Sequence, residues 1–262
     1  MSGLWNSFLY YPLLNGLVAL YHLFGNLGWA IIGLTVIIRL VLLPLTLPGL
    51  KAAQKMKELA PKLAKLKDKY KDDKQGLAKA QMDLYRSVGV SPWGSILPQI
   101  VQIIILIAMF QAFRNVLGGN GMMDKLNEIL YSPLKFEPGT VLNLRFWYLE
   151  LTQPDRMPWG INIAGKSLPG LFLIASAVAQ FLSAKMMMPT AKKQEKLADK
   201  TPEKKDDFAS MMQTQSLYIF PLMTIFIGLS FPSGLVLYWL VFSLSTLAQY
   251  LIINKLQKNG QR

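Results

Sequence analysis

The sequence predicts an all-α polytopic membrane protein, with a core of five transmembrane helices, a cytoplasmic antiparallel helical hairpin and an N-terminal amphipathic helix in the interface. Three observations predict it. Charged residues make up 16% of the 262, against 52% hydrophobic, where a soluble domain carries about 25% charge. The charges avoid five stretches, 28–47, 93–113, 168–184, 211–231 and 234–254, each close to the roughly 20 residues that cross a hydrocarbon core as a helix. The 28 Lys and Arg are also shared unequally between the connecting segments. Disorder is excluded by the abundance of aromatic and branched residues. The absence of cysteine excludes disulfides, thiolate catalysis, cysteine zinc sites and a cysteine-linked lipid anchor.

Residues 1–27 contain no Lys or Arg, so they lack the basic start of a cleaved signal peptide. Trp5, Phe8, Tyr10, Tyr11, Tyr21 and Phe24 among Asn and Gly suit a helix lying in the outer interface. His22, the single histidine, reads as an interface residue rather than a ligand. The first span, 28–47, contains Arg39, the one charge in any of the five.

Residues 48–92 turn amphipathic. Ala52, Met56, Leu59, Leu63, Leu66 and Tyr70 form one narrow stripe, interrupted at Pro61 by an expected kink or local break, and a second stripe runs through Leu77, Gln81, Leu84, Tyr85 and Val88. The polar run 72–76 between them predicts an antiparallel hairpin. Its surplus of 11 Lys/Arg over five Asp/Glu reads either as a solvated face touching anionic lipid or as a platform for an incoming chain or ribosome.

The second span, 93–113, leads to an extracytoplasmic loop, 114–167, without metal-ligand or catalytic spacing; Phe146, Trp147, Tyr148, Pro158 and Trp159 mark it as resting at the interface. The third span, 168–184, precedes a polar cytoplasmic loop, 185–210, beginning near Met186, Met187 and Met188, which read as a lipid-facing helix end or a soft apolar surface. Spans 211–231 and 234–254 are joined so tightly that they must be antiparallel neighbours, and 255–262 is a short basic tail. Segments 48–92, 185–210 and 255–262 together hold 21 Lys/Arg and the alternate segments six, which places the N-terminus outside and the C-terminus in the cytoplasm. The net charge of +13 is thereby explained as topology, and no direct nucleic-acid reading remains.

Arg39 is the residue that demands a role. An arginine at the centre of a span costs at least about 2.5 to 3.5 kcal/mol, so it faces protein or water and marks function. It lies about 12 Å of helix rise from Leu47, far for snorkelling, and no span offers an Asp or Glu to pair with it. Thr35, Arg39 and Thr46 share a face of a continuous helix; Gln99 and Gln102 share a face of the second span, Ser176, Gln180 and Ser183 of the third, and Trp239, Ser243 and Thr246 of the fifth. Two readings fit these sets: interhelical hydrogen bonding, common in membrane bundles, or the lining of a wet groove, which the two glutamines beside an unpaired arginine favour. No nucleotide-binding motif, metal site or nucleophile–base pattern is present, so the chain reads as a non-enzyme without cofactor.

The run Thr35-Val-Ile-Ile-Arg39-Leu-Val-Leu-Leu-Pro44-Leu, the Gln54-Lys-Met-Lys and Pro61-Lys hairpin, Leu97-Pro-Gln-Ile-Val-Gln102, Leu151-Thr-Gln-Pro-Asp155 and Phe231-Pro-Ser-Gly-Leu-Val-Leu-Tyr-Trp239 together resemble the YidC/Oxa/Alb family of membrane protein insertases, from Trp29 to Leu256. The resemblance implies a five-helix core around a hydrophilic groove, open to cytoplasm and lipid and closed outside, in a bacterial inner membrane. It implies Arg39, Thr35, Gln102 and Trp239 as groove residues; Gln99 is added from helical spacing, and Gln180, Ser183, Ser243 and Thr246 are secondary candidates. It implies nascent membrane proteins with hydrophobic segments and short acidic or polar tails as clients, the lipid bilayer as surroundings, and the ribosome and a Sec translocon as candidate partners. The chain departs from larger members in having no large outer domain or extra N-terminal helix, and from lipoprotein members in having no anchoring cysteine; its tail after Leu256 is too short to predict strong ribosome binding. Two other functions remain open at this point: an accessory assembly factor of a Sec-type translocon, and a small-solute transporter with Arg39 as an anion site, although the halves show no clear repeat.

Overall fold

A computed structural model describes residues 3–70, 73–89, 97–116, 122–157, 162–163, 166–187 and 215–260. The chain is mostly helical. Helix α1 is one rod made of Gly3–Trp5, a π turn Asn6–Tyr10 and Tyr11–Phe24, with Pro12, which has no N–H to return to the preceding turn, directly after the π turn. It ends at Gly25, whose φ of 65° is open only to a residue without Cβ strain, and whose N–H donates to the Tyr21 carbonyl at 2.7 Å. Asn26 then caps α2 (Leu27–Val41) by accepting from the Gly28 and Trp29 N–H groups at 3.0 and 3.3 Å. This reversal folds α1 onto α2, burying Leu14, Leu17 and Val18 in one cluster with Ala30, Ile31 and Leu34. Gly25→Ala meets no neighbour within 4 Å, so its effect isolates the backbone term. The expected loss is about 1 kcal/mol, smaller for Gly25→Asn, read from thermal unfolding in detergent; equal stability of Gly25→Ala and wild type would refute it.

Helix α3 (Leu43–Lys69) follows at once but in a new direction, 69° from α2. The continuous segment expected over 28–47 therefore ends at Val41. Pro44 is the cause: it has no N–H to return to the Leu40 carbonyl and its ring clashes there, so the ladder closes at Leu42, which donates to the Ile38 carbonyl at 2.9 Å. Helix α3 continues through both Pro48 and Pro61, so the break expected at Pro61 does not occur. Helix α4 (Lys74–Ser87) is capped by Asp73, which accepts from the Gly76 N–H at 2.8 Å, and it packs against α3. Both stripes are partly or fully buried, with Leu59 deepest. The foot of this pair is tied to the rest of the molecule: the Gln54 side chain donates to Asn254 at 2.7 Å, and Lys57 to the Met186 carbonyl at 2.9 Å.

Helix α5 (Leu97–Val116) packs against α1, where Trp5 Nε1 donates to Gln111 at 3.0 Å, and against α6 (Met122–Ile129). His22 contacts the Leu134 carbonyl at 3.1 Å and stacks on Phe136, a packing role. Beyond α6 lie two short antiparallel ladders that the all-helical reading did not contain: β1 (Arg145–Phe146) with β2 (Leu149–Glu150), and β3 (Asn162–Ile163) with β4 (Lys166–Ser167). Helices α7 (Leu171–Met187), α8 (Phe220–Gly228, preceded by a π turn Gln215–Ile219) and α9 (Ser233–Gly260) complete the bundle. Helix α9 lies against α7 and α2, and α8 against α7; Gly228 is opposite Leu173, where a Cβ would come within 2.3 Å, the close small-residue packing that helices use in lipid.

Among the described residues, Ser233–Lys255 is the single helix long and apolar enough to cross a bilayer unaided; α2 and α3 reach that length as a bent pair, and Ile100–Arg114, Leu171–Met186 and Leu217–Gly228 are shorter apolar helices. Residues 93–96 and 211–214, expected to begin two spans, lie outside the described residues, as does most of the loop 185–210.

Candidate functional site around Arg39

Arg39 sits two residues before the end of α2, where α2 lies against α9. It is buried, with 8% of its surface exposed. One guanidinium nitrogen, Nη2, donates to the Phe242 carbonyl at 3.2 Å and to the Thr246 hydroxyl, and the guanidinium carbon lies 3.9 Å from the centre of the Phe242 ring. Its Nε is buried with no hydrogen-bond partner among the described residues. Among the described residues no carboxylate pairs with it. The charge is thus held by a ring, a carbonyl and a hydroxyl. A cation–π contact contributes roughly 0.5 to 2 kcal/mol and a hydrogen bond from a charged donor about 1.5 to 3, together the same order as the insertion penalty of an arginine.

The Tyr238 ring lies beside the Phe242 ring that carries this guanidinium, their centroids 6.3 Å apart, and its hydroxyl accepts a hydrogen bond at 3.0 Å from the Gln102 side chain of α5. Arg39, Thr246 and Gln102 are therefore brought to one place, on α2, α9 and α5. Tyr238 and Phe242 complete it and were not among the sequence candidates. Their signal was available: 238, 242 and 246 fall at i, i+4 and i+8, one face of a helix.

The other candidates have different surroundings. Thr35 is buried next to Arg39 along α2, but its hydroxyl donates to its own helix, to the Ile31 carbonyl at 2.6 Å. Thr46 does not share a face with Thr35 and Arg39, because it follows the bend at Leu42; it donates to the Leu42 carbonyl at 3.0 Å. Trp239 is half-buried and packs edge-on to Phe231, while Ser243 donates to the Trp239 carbonyl at 2.7 Å. Gln180 accepts from Thr224 of α8 at 2.8 Å, and Ser183 donates to the Ala179 carbonyl. These two join α7 to α8 or to itself, not to Arg39. Gln99 falls in the first turn of α5, and its side chain lies outside the described residues.

The end of the bundle nearest the β ladders is tied down by a second polar cluster. Asp155, 1% exposed, accepts from the Tyr148 hydroxyl at 2.8 Å and from the Leu173 N–H at 2.7 Å. The same Tyr148 oxygen accepts from the Leu171 and Phe172 N–H groups at 2.8 and 3.3 Å. Three otherwise unpaired donors at the start of α7 are satisfied in this way. Gly170 is required here, because a Cβ would lie 1.7 Å from the Asp155 carboxylate. Burial pushes the Tyr148 hydroxyl up to about 12, helped by its bond to Asp155. Burial also raises the Asp155 carboxyl above its ordinary value, opposed by the bonds from Tyr148 and the α7 backbone. The neighbouring loop caps α9 similarly: the Ser233 and Gly234 N–H groups donate to the Gln153 and Leu151 carbonyls at 2.7 and 3.1 Å.

The family model described as 60Kd inner membrane protein matches residues 19–260. A membrane protein insertase YidC of Pelobacter propionicus is 34% identical over 252 residues, 96% of this chain and 39% of the relative. One of Syntrophobacter fumaroxidans is 32% identical, over 96% of this chain and 38% of the relative. The chain thus spans about two fifths of the length of these relatives. A crystal structure of an active YidC insertase with its first transmembrane domain resolved superposes with a TM-score of 0.52 at 24% identity, over 91% of this chain and 45% of that one, and so shares its fold. With a family model matching residues 19–260 and relatives matching 96% of its length, the chain belongs to the 60Kd inner membrane protein family, the family of the YidC insertases.

Proposed function

We propose that this chain is a membrane protein insertase: it receives hydrophobic segments of nascent membrane proteins beside Arg39 and releases them sideways into the bilayer without nucleotide hydrolysis. The observation that carries the reading is a buried arginine held, among the described residues, without a carboxylate, in a chain whose relatives are named insertases. A cation that nothing neutralises attracts a negative group brought in from outside. In this reading the five apolar segments span an inner membrane with the N-terminus outside, Arg39, Thr35, Gln99, Gln102 and Trp239 line the client path, and the α3–α4 pair meets the client on the cytoplasmic side. Gln180, Ser183 and Ser243 contribute to its polar lining, and Thr246 holds Arg39.

The driving force is the client's own. Apolar residues at a helix centre each favour insertion by roughly 0.3 to 0.6 kcal/mol. An acidic tail moving outward gains about 2.3 kcal/mol per charge per 100 mV, inside negative. Arg39 lowers the barrier for that tail, and the membrane potential completes the transfer.

Photo-crosslinkers placed at Gln102 and Trp239 test this in native-like membranes with a ribosome-stalled single-span client. The expected result is crosslinks to the client's hydrophobic segment and its tail, at chain lengths where that segment has just left the ribosome. Crosslinks to lipid alone at every chain length would overturn it.

A further inference from the structure

Holding a cation in an apolar bundle normally takes a carboxylate, and a carboxylate would cancel the field that the cation exerts. Arg39 is held differently. The Phe242 ring covers one face of the guanidinium at 3.9 Å, and the carbonyl of the same residue accepts from Nη2 at 3.2 Å, beside the Thr246 hydroxyl. None of these groups carries charge. Nε is a buried donor that no described residue bonds, so the hydrogen-bonding capacity of the guanidinium is not exhausted by them.

We propose that Phe242 is a positioning residue for Arg39: its ring and carbonyl form a charge-free seat that keeps the guanidinium beside Gln102 and Tyr238 as an uncompensated cation, and so sets the preference for clients with acidic tails. This rests on the proposed function above and adds to it the residue that determines specificity. The physical basis is the quadrupole of an aromatic ring, which attracts a cation without donating a counter-charge. Two consequences separate the seat from ordinary packing. Loss of the ring affects acidic tails and leaves neutral ones alone, and any ring of similar shape restores it.

The test uses the full chain in proteoliposomes with two single-span clients that differ only in an Asp-Asp or an Asn-Asn tail. Phe242→Leu keeps an apolar side chain and removes the ring. It is expected to raise the concentration of Asp-Asp client needed for half-maximal insertion about fivefold, the scale of one cation–π contact, with the maximal rate and the Asn-Asn client unchanged. Phe242→Tyr is expected to behave as wild type. The proposal is overturned if Phe242→Leu slows both clients in the same proportion, if it changes neither, or if Phe242→Tyr behaves as Phe242→Leu. Arg39→Gln in the same assay separates the two layers. If it abolishes the preference for the Asp-Asp client while Phe242→Leu leaves that preference at its wild-type value, the seat fails and the client path stands. If Arg39→Gln preserves the preference, the path beside Arg39 fails and the seat with it.

Discussion

Arg39→Glu is expected to lose insertion of acidic-tailed single-span clients by a factor of about ten to a hundred in proteoliposomes. Arg39→Ala should lose nearly as much, and Arg39→Lys should retain most of the activity. The magnitude follows from a charge-assisted contact of about 1.5 to 3 kcal/mol between the cation and an incoming carboxylate, at 1.4 kcal/mol for each factor of ten. Glutamate is worse than alanine because it repels the tail it replaces the attraction for. The lysine variant separates charge from shape: a point charge keeps the attraction but loses the planar stack on Phe242. Added salt should reduce the wild-type advantage for acidic tails and have little effect on Arg39→Ala, since the tail is exposed while it approaches and its charge is then screened over about 10 Å at 0.1 M. Equal insertion of acidic-tailed clients by wild type, Arg39→Ala and Arg39→Glu would sink the electrostatic mechanism. Neutral-tailed clients, measured in parallel, show whether the variants remain folded.

The largest effect on stability is expected at the other end of the molecule. Asp155→Ala removes the acceptor for both the Tyr148 hydroxyl and the Leu173 N–H. Loss of a helix cap costs about 0.5 to 2 kcal/mol, and leaving buried donors unpaired costs about 1 to 3, so a loss of roughly 2 to 3 kcal/mol is expected by thermal unfolding in detergent. Asp155→Asn keeps an acceptor and should lose less. The pH dependence separates the two further. Because burial raises the Asp155 carboxyl in the folded protein, folding favours its protonated form. The stability it contributes is complete below the ordinary carboxylate value of about 3.9 and is lost as pH rises through the raised value. Wild type should therefore lose stability relative to Asp155→Asn as pH climbs from the acid range toward neutral. A difference between them that does not change with pH would contradict the assignment.

How much of this was readable before the fold was known depended on the kind of signal. The α3–α4 pair was readable because its stripes repeat at 3.6-residue spacing and its turn is polar. Arg39 stood out because a charge in an apolar run has no local explanation. The bend at Leu42 was hidden, since Pro44 lies in a continuous apolar stretch and composition carries no direction. Of the kink or break expected at Pro61, the break does not occur: α3 runs through it, one missing N–H being a smaller loss than the packing of the whole stripe. The ladders at 145–150 and 162–167 are two-residue strands, too short to produce an alternating pattern.

At the site the division is sharper. The sequence by itself determined that an arginine lies in an apolar helix, that no acidic residue occurs in any of the five apolar segments, and that polar residues recur in them at helical spacing. Only the tertiary structure decided what holds the arginine. Its partners are the carbonyl and ring of Phe242 and the hydroxyl of Thr246, more than 200 residues away along the chain. A backbone carbonyl has no signature in a sequence, and an apolar ring among apolar residues does not announce itself as a cation's neighbour. Periodicity assigns each residue to a face of its own helix; which faces meet is set by the packing of α2 against α9.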